Sequence, residues 1–196
     1  MNNQNNIASV IKSHQLIPVI TFNSESDPIK LMNFLMEQGV SCIEVTLRTK
    51  EGIEGMAKLK SHFGDSICLG AGTVTYAEQI EALKRIGVDF LVSPGLTPSL
   101  KEKMDHSKIA YLPGVATPSE IMAAREMGLS KLKFFPANLF GGISALKTFG
   151  NLFPDVSFCP TGGVSEKTKN EYLALDNVIA VGGSWFQSDY NQINKQ

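Results

Sequence analysis

Two reactive side chains are predicted to lie inside strands that are otherwise apolar. Lys133 occupies the middle of residues 131–136 (KLKFFP), where strand alternation places it on the same face as Lys131 and Phe135. Burial disfavours an ammonium group and lowers the pKa of a lysine, which frees the amine to attack a ketone. Lys133 is therefore a candidate nucleophile. The alternative is that it reaches solvent or pairs with a carboxylate.

The second reactive side chain is Glu44, which begins a polar alternation in residues 44–48 (EVTLR). Alternation directs Glu44, Thr46 and Arg48 to the interior of a closed sheet, where charged groups are costly unless they are paired or functional. As functional groups, Glu44 is a general base and Arg48 binds a substrate carboxylate through its planar fork. The alternative is an internal ion pair of Glu44 with an arginine or a lysine.

Glycine-rich loops follow the last two predicted strands, at residues 160–163 (PTGG) and 182–184 (GGS). In barrels, backbone N–H groups and a helix N-terminus at these two places often bind phosphate. The pattern predicts a phosphate site formed by Gly162, Gly163, Gly183 and Ser184. The alternative is that these residues only form tight turns.

Predicted strands and helices alternate along the whole chain. A short helix over residues 7–15 precedes eight predicted strands at 16–22, 41–47, 67–71, 90–93, 109–112, 131–135, 156–159 and 178–181. Strict alternation indicates a parallel sheet, and eight units favour a closed (β/α)8 TIM barrel over an open doubly wound sheet. No shift in composition divides the chain, so residues 1–196 are predicted to form a single compact domain.

Composition and charge exclude several classes of function. The formal net charge is −1 with scattered Lys and Arg residues, which argues against a nucleic-acid partner. No apolar run approaches the ~20 residues of a membrane span, and three cysteines without a CxxC pair predict reduced thiols in a cytoplasmic protein. The histidines are predicted to be surface residues outside any ligand cluster, so no metal is expected at His14, His62 or His106.

Six short motifs, taken in order, resemble the 2-keto-3-deoxy-6-phosphogluconate (KDPG) aldolases, a family that overlaps with the 4-hydroxy-2-oxoglutarate (KHG) aldolases. The motifs are residues 44–49 (EVTLRT), 70–74 (GAGTV), 93–95 (SPG), 133–137 (KFFPA), 159–163 (CPTGG) and 182–185 (GGSW). They cover nearly the whole chain. The loop at residues 138–142 is more apolar than the family pattern, and the sequence ends earlier than that pattern does.

The resemblance implies a class I aldolase on a (β/α)8 barrel, without a metal or other cofactor and commonly a homotrimer. Its substrate would be a 2-keto acid, which in the case of KDPG is phosphorylated. Lys133 matches the Schiff-base lysine and Glu44 the general acid and base. The matching residues in the substrate pocket are Arg48 and Thr73 at the pyruvate carboxylate, Pro94 and Phe135 in the walls, and Thr161, Gly162, Gly163 and Ser184 at the other end.

Other functions stay open from the residues alone. One is an aldolase that prefers an unphosphorylated or a galactonate-derived 2-keto acid, because the sequence does not fix the stereochemistry at C4. Another is a phosphosugar isomerase, in which Glu44 and Lys133 act as base and electrophile without a covalent intermediate. The last is a non-catalytic phosphosugar sensor, which would bind ligand without turnover.

Overall fold

Helices and strands alternate in the computed structural model, which describes residues 3–193 apart from the side chains of residues 3–6 and 12. The strands are β1 (Leu16–Ile20), β2 (Cys42–Thr46), β3 (Cys68–Gly72), β4 (Phe90–Val92), β5 (Ala110–Leu112), β6 (Gly114–Val115), β7 (Lys131–Phe134), β8 (Ser157–Pro160) and β9 (Val181–Gly183). The helices are α1 (Asn3–Lys12), α2 (Pro28–Glu37), α3 (Glu51–Phe63), α4 (Gln79–Ile86), α5 (Pro98–Ser107), α6 (Pro118–Glu126), α7 (Gly142–Leu152), α8 (Lys169–Leu173) and α9 (Trp185–Ile193). Short 3-10 turns cover Gly64–Ser66 and Ala137–Phe140.

The strands form a curled, parallel α/β arrangement. Six strands pair in the order β5-β4-β3-β2-β1-β9, and three pair in the order β6-β7-β8. Single bridges from Phe158 to Val178 and from Thr161 to Gly182 connect β8 with the segment around β9. The parallel α/β class predicted from the sequence is therefore present, with the strands divided between two sheets.

Several predicted elements, including the following three, differ from the observed ones in their bounds. Predicted strand 109–112 continues beyond Pro113 as β6, and the strand is divided there because proline has no N–H for the sheet ladder. The last strand begins at Val181 rather than Val178, since β9 pairs in register with β1 from Leu16 onward. Gly182 and Gly183 thus belong to a strand rather than to a loop. The first helix begins at Asn3 and ends at Lys12, earlier than predicted.

Proline and a capping side chain fix the start of three outer helices. Asp27, Thr97 and Thr117 each precede a proline at the first helical position, where its fixed φ suits the helix. Each side chain accepts a backbone N–H of the first turn, and Thr117 forms a reciprocal capping box with Glu120. These caps set where the chain turns back after β1, β4 and β6.

Two apolar clusters lie on opposite sides of the strands. The larger one packs the outward side chains, including Ile43 and Val45 of β2, against the outer helices. The second cluster lies inside the curled sheets, where Ile7 and Ile11 of α1 pack against side chains of several strands. We call this second set the floor cluster, formed by Ile7, Ile11, Ile17, Cys42, Phe90, Val92, Ala110, Leu112, Cys159 and Ala180.

Within residues 3–193, no helix is both long enough and apolar enough to cross a membrane.

Close packing of α3 on the loop after β1 leads to a stability prediction. A Cβ at Gly55 would overlap the ring of Phe22, which is fully buried. We expect Gly55→Ala to lower the free energy of unfolding by about 1–3 kcal/mol, although alanine favours helices, because the ring must move. Urea unfolding measures this change. Ser61→Ala, on the exposed side of α3, is the control and should stay within about 0.5 kcal/mol of the parent.

Candidate active site

A buried ion pair joins the two sheets. The Nζ atom of Lys133 on β7 lies 3.0 Å from Oε1 and 3.2 Å from Oε2 of Glu44 on β2. The two residues are only 5% and 4% exposed, respectively. Both groups were predicted to face the interior, and the structure brings them into direct contact. An amine and a carboxylate in contact inside a protein can exchange a proton without placing a net charge in the interior.

Gly72 on β3, which has no side chain, makes room for the Glu44 carboxylate. Glu44 is in register with Gly70, and Thr46 is in register with Gly72. A Cβ at Gly72 would overlap the Glu44 carboxylate, and one at Gly70 would overlap the ring of Phe90. Gly72 therefore fixes where the carboxylate can lie. Sequence reasoning placed Gly72 in a family motif but did not assign it this role.

Two further groups lie near the Lys133 amine, one just after β7 and one on the neighbouring β8. The Nζ atom of Lys133 lies 5.2 Å from the centroid of the Phe135 ring, a cation–π distance, and Phe135 is half-buried. Cys159 of β8 is the residue in register with Lys133. Burial raises the pKa of the Cys159 thiol to about 12, so this neighbour stays protonated. The nucleophile candidate on these two strands is therefore the amine.

A hydroxyl pair continues the polar layer next to the ion pair. The Oγ1 atoms of Thr46 and Thr21 lie 2.8 Å apart, and Thr46 is fully buried. The amide of Gln187 on α9 binds both the N–H and the carbonyl of Thr21, at 2.9 Å and 2.8 Å. The sequence directed Thr46 inward, but it carried no signal for the contribution of Thr21 and Gln187, which depends on α9 packing on β1.

Thr73 directly follows β3 and has a left-handed backbone, with φ of 59°. This conformation is an outlier for a β-branched residue and costs on the order of 1–3 kcal/mol. Such strain is retained where the surrounding structure holds a residue in one position. Thr73 is half-buried at the C-terminal ends of the strands, which we call the mouth.

Two further predicted site residues lie at the edge of the mouth. Pro94 follows β4 and is half-buried, and its carbonyl approaches the chain so closely that a Cβ at Gly114 would overlap it. Arg48 is exposed and lies beyond the end of β2 at Thr46. The alternation that predicted an inward Arg48 stops where the strand stops. The role of Arg48 at a substrate carboxylate therefore stays a prediction.

The two glycine-rich segments lie side by side at the mouth. Thr161 is buried and pairs with Gly182, where a Cβ would meet the Thr161 hydroxyl at 2.5 Å. Gly162 and Gly163 have φ of 96° and 74°, which favour glycine. In the other segment, Gly183 is buried at the end of β9, and Ser184 is exposed immediately before α9. The two segments thus place two glycines with positive φ beside the N-terminus of α9.

The histidine prediction was wrong for one residue. An imidazole nitrogen of His14 and the Sγ atoms of Cys42 and Cys68 all lie within 4.8 Å of one another. No sequence pattern indicated this cluster, because it depends on the register of β2 with β3. The other two histidines, His62 and His106, are exposed on α3 and α5.

Comparison with known proteins identifies the family of this chain. The family model described as KDPG and KHG aldolase matches residues 7–196. The 2-dehydro-3-deoxy-phosphogluconate aldolase of Pseudomonas aeruginosa is 40% identical over 179 residues, which cover 91% of this chain and 81% of the relative. The KHG/KDPG aldolase of Escherichia coli K12 is 35% identical over 194 residues, which cover 95% of this chain and 91% of the relative.

Solved structures give the same result. The KDPG aldolase of Legionella pneumophila, with pyruvate captured as a covalent carbinolamine intermediate, has a TM-score of 0.87 and 42% identity, covering 91% of this chain and 86% of that one. The KDPG aldolase of Zymomonas mobilis ZM4 with 3-phosphoglycerate has a TM-score of 0.88 and 36% identity, covering 93% and 86%. The family match, the identities and the shared fold together place this chain in the KDPG and KHG aldolase family.

Proposed function

We propose that this chain is a class I aldolase that cleaves KDPG to pyruvate and glyceraldehyde 3-phosphate, and KHG to pyruvate and glyoxylate. The observation that carries the proposal is the buried contact between the Lys133 amine and the Glu44 carboxylate. A Schiff base needs an unprotonated amine, and a carboxylate at this distance can accept the proton. The Legionella pneumophila relative, which holds pyruvate as a covalent carbinolamine, supports the same chemistry.

The first half of the reaction builds a covalent electron sink. Lys133 passes a proton to Glu44, and the neutral amine attacks the C2 ketone of the substrate. Glu44 then returns the proton to the hydroxyl that leaves as water, and an iminium between Lys133 and C2 remains. Moving the proton within the pair removes two buried charges at once, so the dry interior favours the reactive form over an isolated ammonium.

The second half breaks the carbon–carbon bond. Glu44, directly or through a water, takes the proton of the C4 hydroxyl, and the C3–C4 electron pair moves into the iminium. The aldehyde leaves and an enamine of pyruvate remains on Lys133. Glu44 then protonates C3, and hydrolysis of the iminium releases pyruvate and restores the amine.

The other predicted residues are assigned to the two ends of the substrate. Arg48 and Thr73, which lie beyond the ends of β2 and β3, bind the pyruvate carboxylate. Pro94 and Phe135 form the walls of the pocket. The phosphate end is bound by Thr161, Gly162, Gly163, Gly183 and Ser184. Their support is the mouth position of both glycine-rich segments and the N-terminus of α9.

Four broader features belong to the same proposal. The two sheets close into one (β/α)8 ring through the bridges beside β9 and the short interruption at Pro113. Residues 1–196 form a single domain, and three copies assemble as the resemblance implies. Leu139 is 74% exposed, and such apolar surface favours assembly. The three cysteines are free thiols, which favours a reducing compartment such as the cytoplasm.

Borohydride trapping tests the covalent step. Reduction in the presence of pyruvate should add one reduced pyruvyl group to the chain, and peptide mapping should place it on Lys133. Lys133→Ala should abolish the adduct. Lys131→Ala is the matched control, because Lys131 lies on the same strand and donates to Ser157 instead. A folded protein without an adduct at saturating pyruvate would favour the isomerase or the sensor.

Replacement of Glu44 tests the proton transfers. General acid–base catalysis contributes roughly 10²–10⁴-fold, so Glu44→Gln should lower kcat for KDPG cleavage by about that factor. The glutamine still fits beside Gly72, so the protein should fold. Steady-state kinetics measure the change, with the exposed Glu54→Gln as the control. A kcat within about threefold of the parent would remove Glu44 from the mechanism.

The phosphate assignment predicts a loss that depends on the substrate. Ser184→Ala should raise KM for KDPG roughly 10- to 100-fold, because a hydrogen bond to a charged group contributes about 1.5–3 kcal/mol. KM for KHG, which has no phosphate, should not change. Ser188→Ala, one turn further along α9, is the control. An equal loss for both substrates would assign Ser184 to the fold rather than to the phosphate, and a preference for KHG in the parent would support the unphosphorylated alternative.

A further inference from the structure

A cluster of three metal-ligating side chains lies at the end of the strands opposite to the mouth. Cys42 and Cys68 are the first residues of β2 and β3, and they are direct partners in the parallel register. His14 lies between α1 and β1. One imidazole nitrogen of His14 and the two Sγ atoms all lie within 4.8 Å of one another. None of these residues takes part in the proposed aldol chemistry.

The fold, rather than chance contact on a surface, holds the three side chains together. Register pairing directs both thiols to the same side of the sheet, and Cys42 is completely buried in the floor cluster. The backbone N–H of His14 donates to the carbonyl of Ile11 at 2.9 Å, while the Ile11 side chain is itself buried in that cluster. His14 and Cys68 are half-buried, so an ion can reach them from solvent.

We propose that His14, Cys42 and Cys68 bind one Zn²⁺ ion, with a water molecule as the fourth ligand. Two thiolates and an imidazole suit zinc and disfavour hard cations such as Mg²⁺. With Zn–S of about 2.3 Å and Zn–N of about 2.0 Å, tetrahedral donors lie about 3.5–3.8 Å apart. The three donor atoms lie at most 4.8 Å apart, so they must approach one another by about 1 Å. A small shift of the loop that carries His14 can supply this movement.

Charge and protonation are compatible with this site. Binding releases one proton from each thiol to solvent, each sulfur forms a bond to zinc, and the imidazole donates its lone pair, without oxidation or reduction. Two thiolates neutralise one Zn²⁺ ion, so the buried unit carries no net charge.

The site predicts a structural role. Zinc would join the connection after α1 to the first residues of β2 and β3, and so hold α1 against the floor cluster. Glu44 follows Cys42 by two positions toward the mouth, so the metal would stay apart from the Lys133–Glu44 pair. The proposal therefore does not depend on the aldolase assignment, and either can fail alone.

Cobalt(II) is the probe for the first experiment. Tag-free, full-length protein with its thiols kept reduced is titrated with Co²⁺, and Zn²⁺ is then added in competition. We expect one ion per chain, a thiolate-to-cobalt charge-transfer band, the intense visible bands of a tetrahedral site, and displacement by Zn²⁺. His14→Asn and Cys68→Ser should each weaken binding at least about 10-fold, while the exposed His62→Asn should not. Both variants change half-buried residues, so folding should be retained.

Thermal unfolding and kcat together test whether the bound metal stabilises the fold without taking part in catalysis. Zn²⁺ should raise Tm of the parent and of His62→Asn but not that of Cys68→Ser, while kcat of all three stays unchanged. Absence of the charge-transfer band, or equal affinity in His14→Asn, would overturn the proposal. So would reduced protein that binds no metal but forms a Cys42–Cys68 disulfide in air, because the pair would then be a redox pair.

Discussion

The free-energy cost of burying the charges of Lys133 and Glu44 constrains how the two sheets are placed. Lys133 and Glu44 lose nearly all contact with water, and each isolated charge would cost several kcal/mol in the interior. Their mutual contact offsets that cost only while β2 and β7, which belong to different sheets, stay across from each other. The pair thus depends on the curled arrangement of the two sheets. Loss of either partner would leave the other as an uncompensated charge.

The interior around the pair is divided into layers by side-chain size and polarity. At the mouth, Gly72 leaves room for the Glu44 carboxylate, and the hydroxyl of Thr46 binds that of Thr21. At the floor, Phe90 and the isoleucines of α1 fill the space with apolar groups. Because the lower layer is packed, the polar layer above it has little freedom to move. Apolar packing at the floor therefore restrains the polar layer that holds the ion pair.

Sequence reasoning was most successful where a residue's direction depends only on its own strand. The two-residue period of a strand was sufficient to direct Lys133 and Glu44 inward. It could not choose the partner of Glu44, because that choice depends on how distant strands curl together. The role of Arg48 stays a prediction, since β2 ends at Thr46 and the exposed Arg48 lies beyond it. The prediction was wrong for His14, because the register between neighbouring strands is not visible in one sequence. Gly182 and Gly183 looked like a loop because glycine is common in turns, but pairing with β1 includes them in β9.

The packing of α1 into the floor has a consequence for the route of water and products in a catalytic cycle. Ile7 and Ile11 are fully buried beneath the pair, so water that hydrolyses the final iminium must approach from the mouth. The departing aldehyde occupies that same route after the carbon–carbon bond breaks. The covalent bond to pyruvate already makes the aldehyde the first product in the proposed mechanism, and the packed floor leaves the mouth as the shared route of water and both products. A helix that contributes no reactive group would in this way direct all traffic of the cycle through one opening.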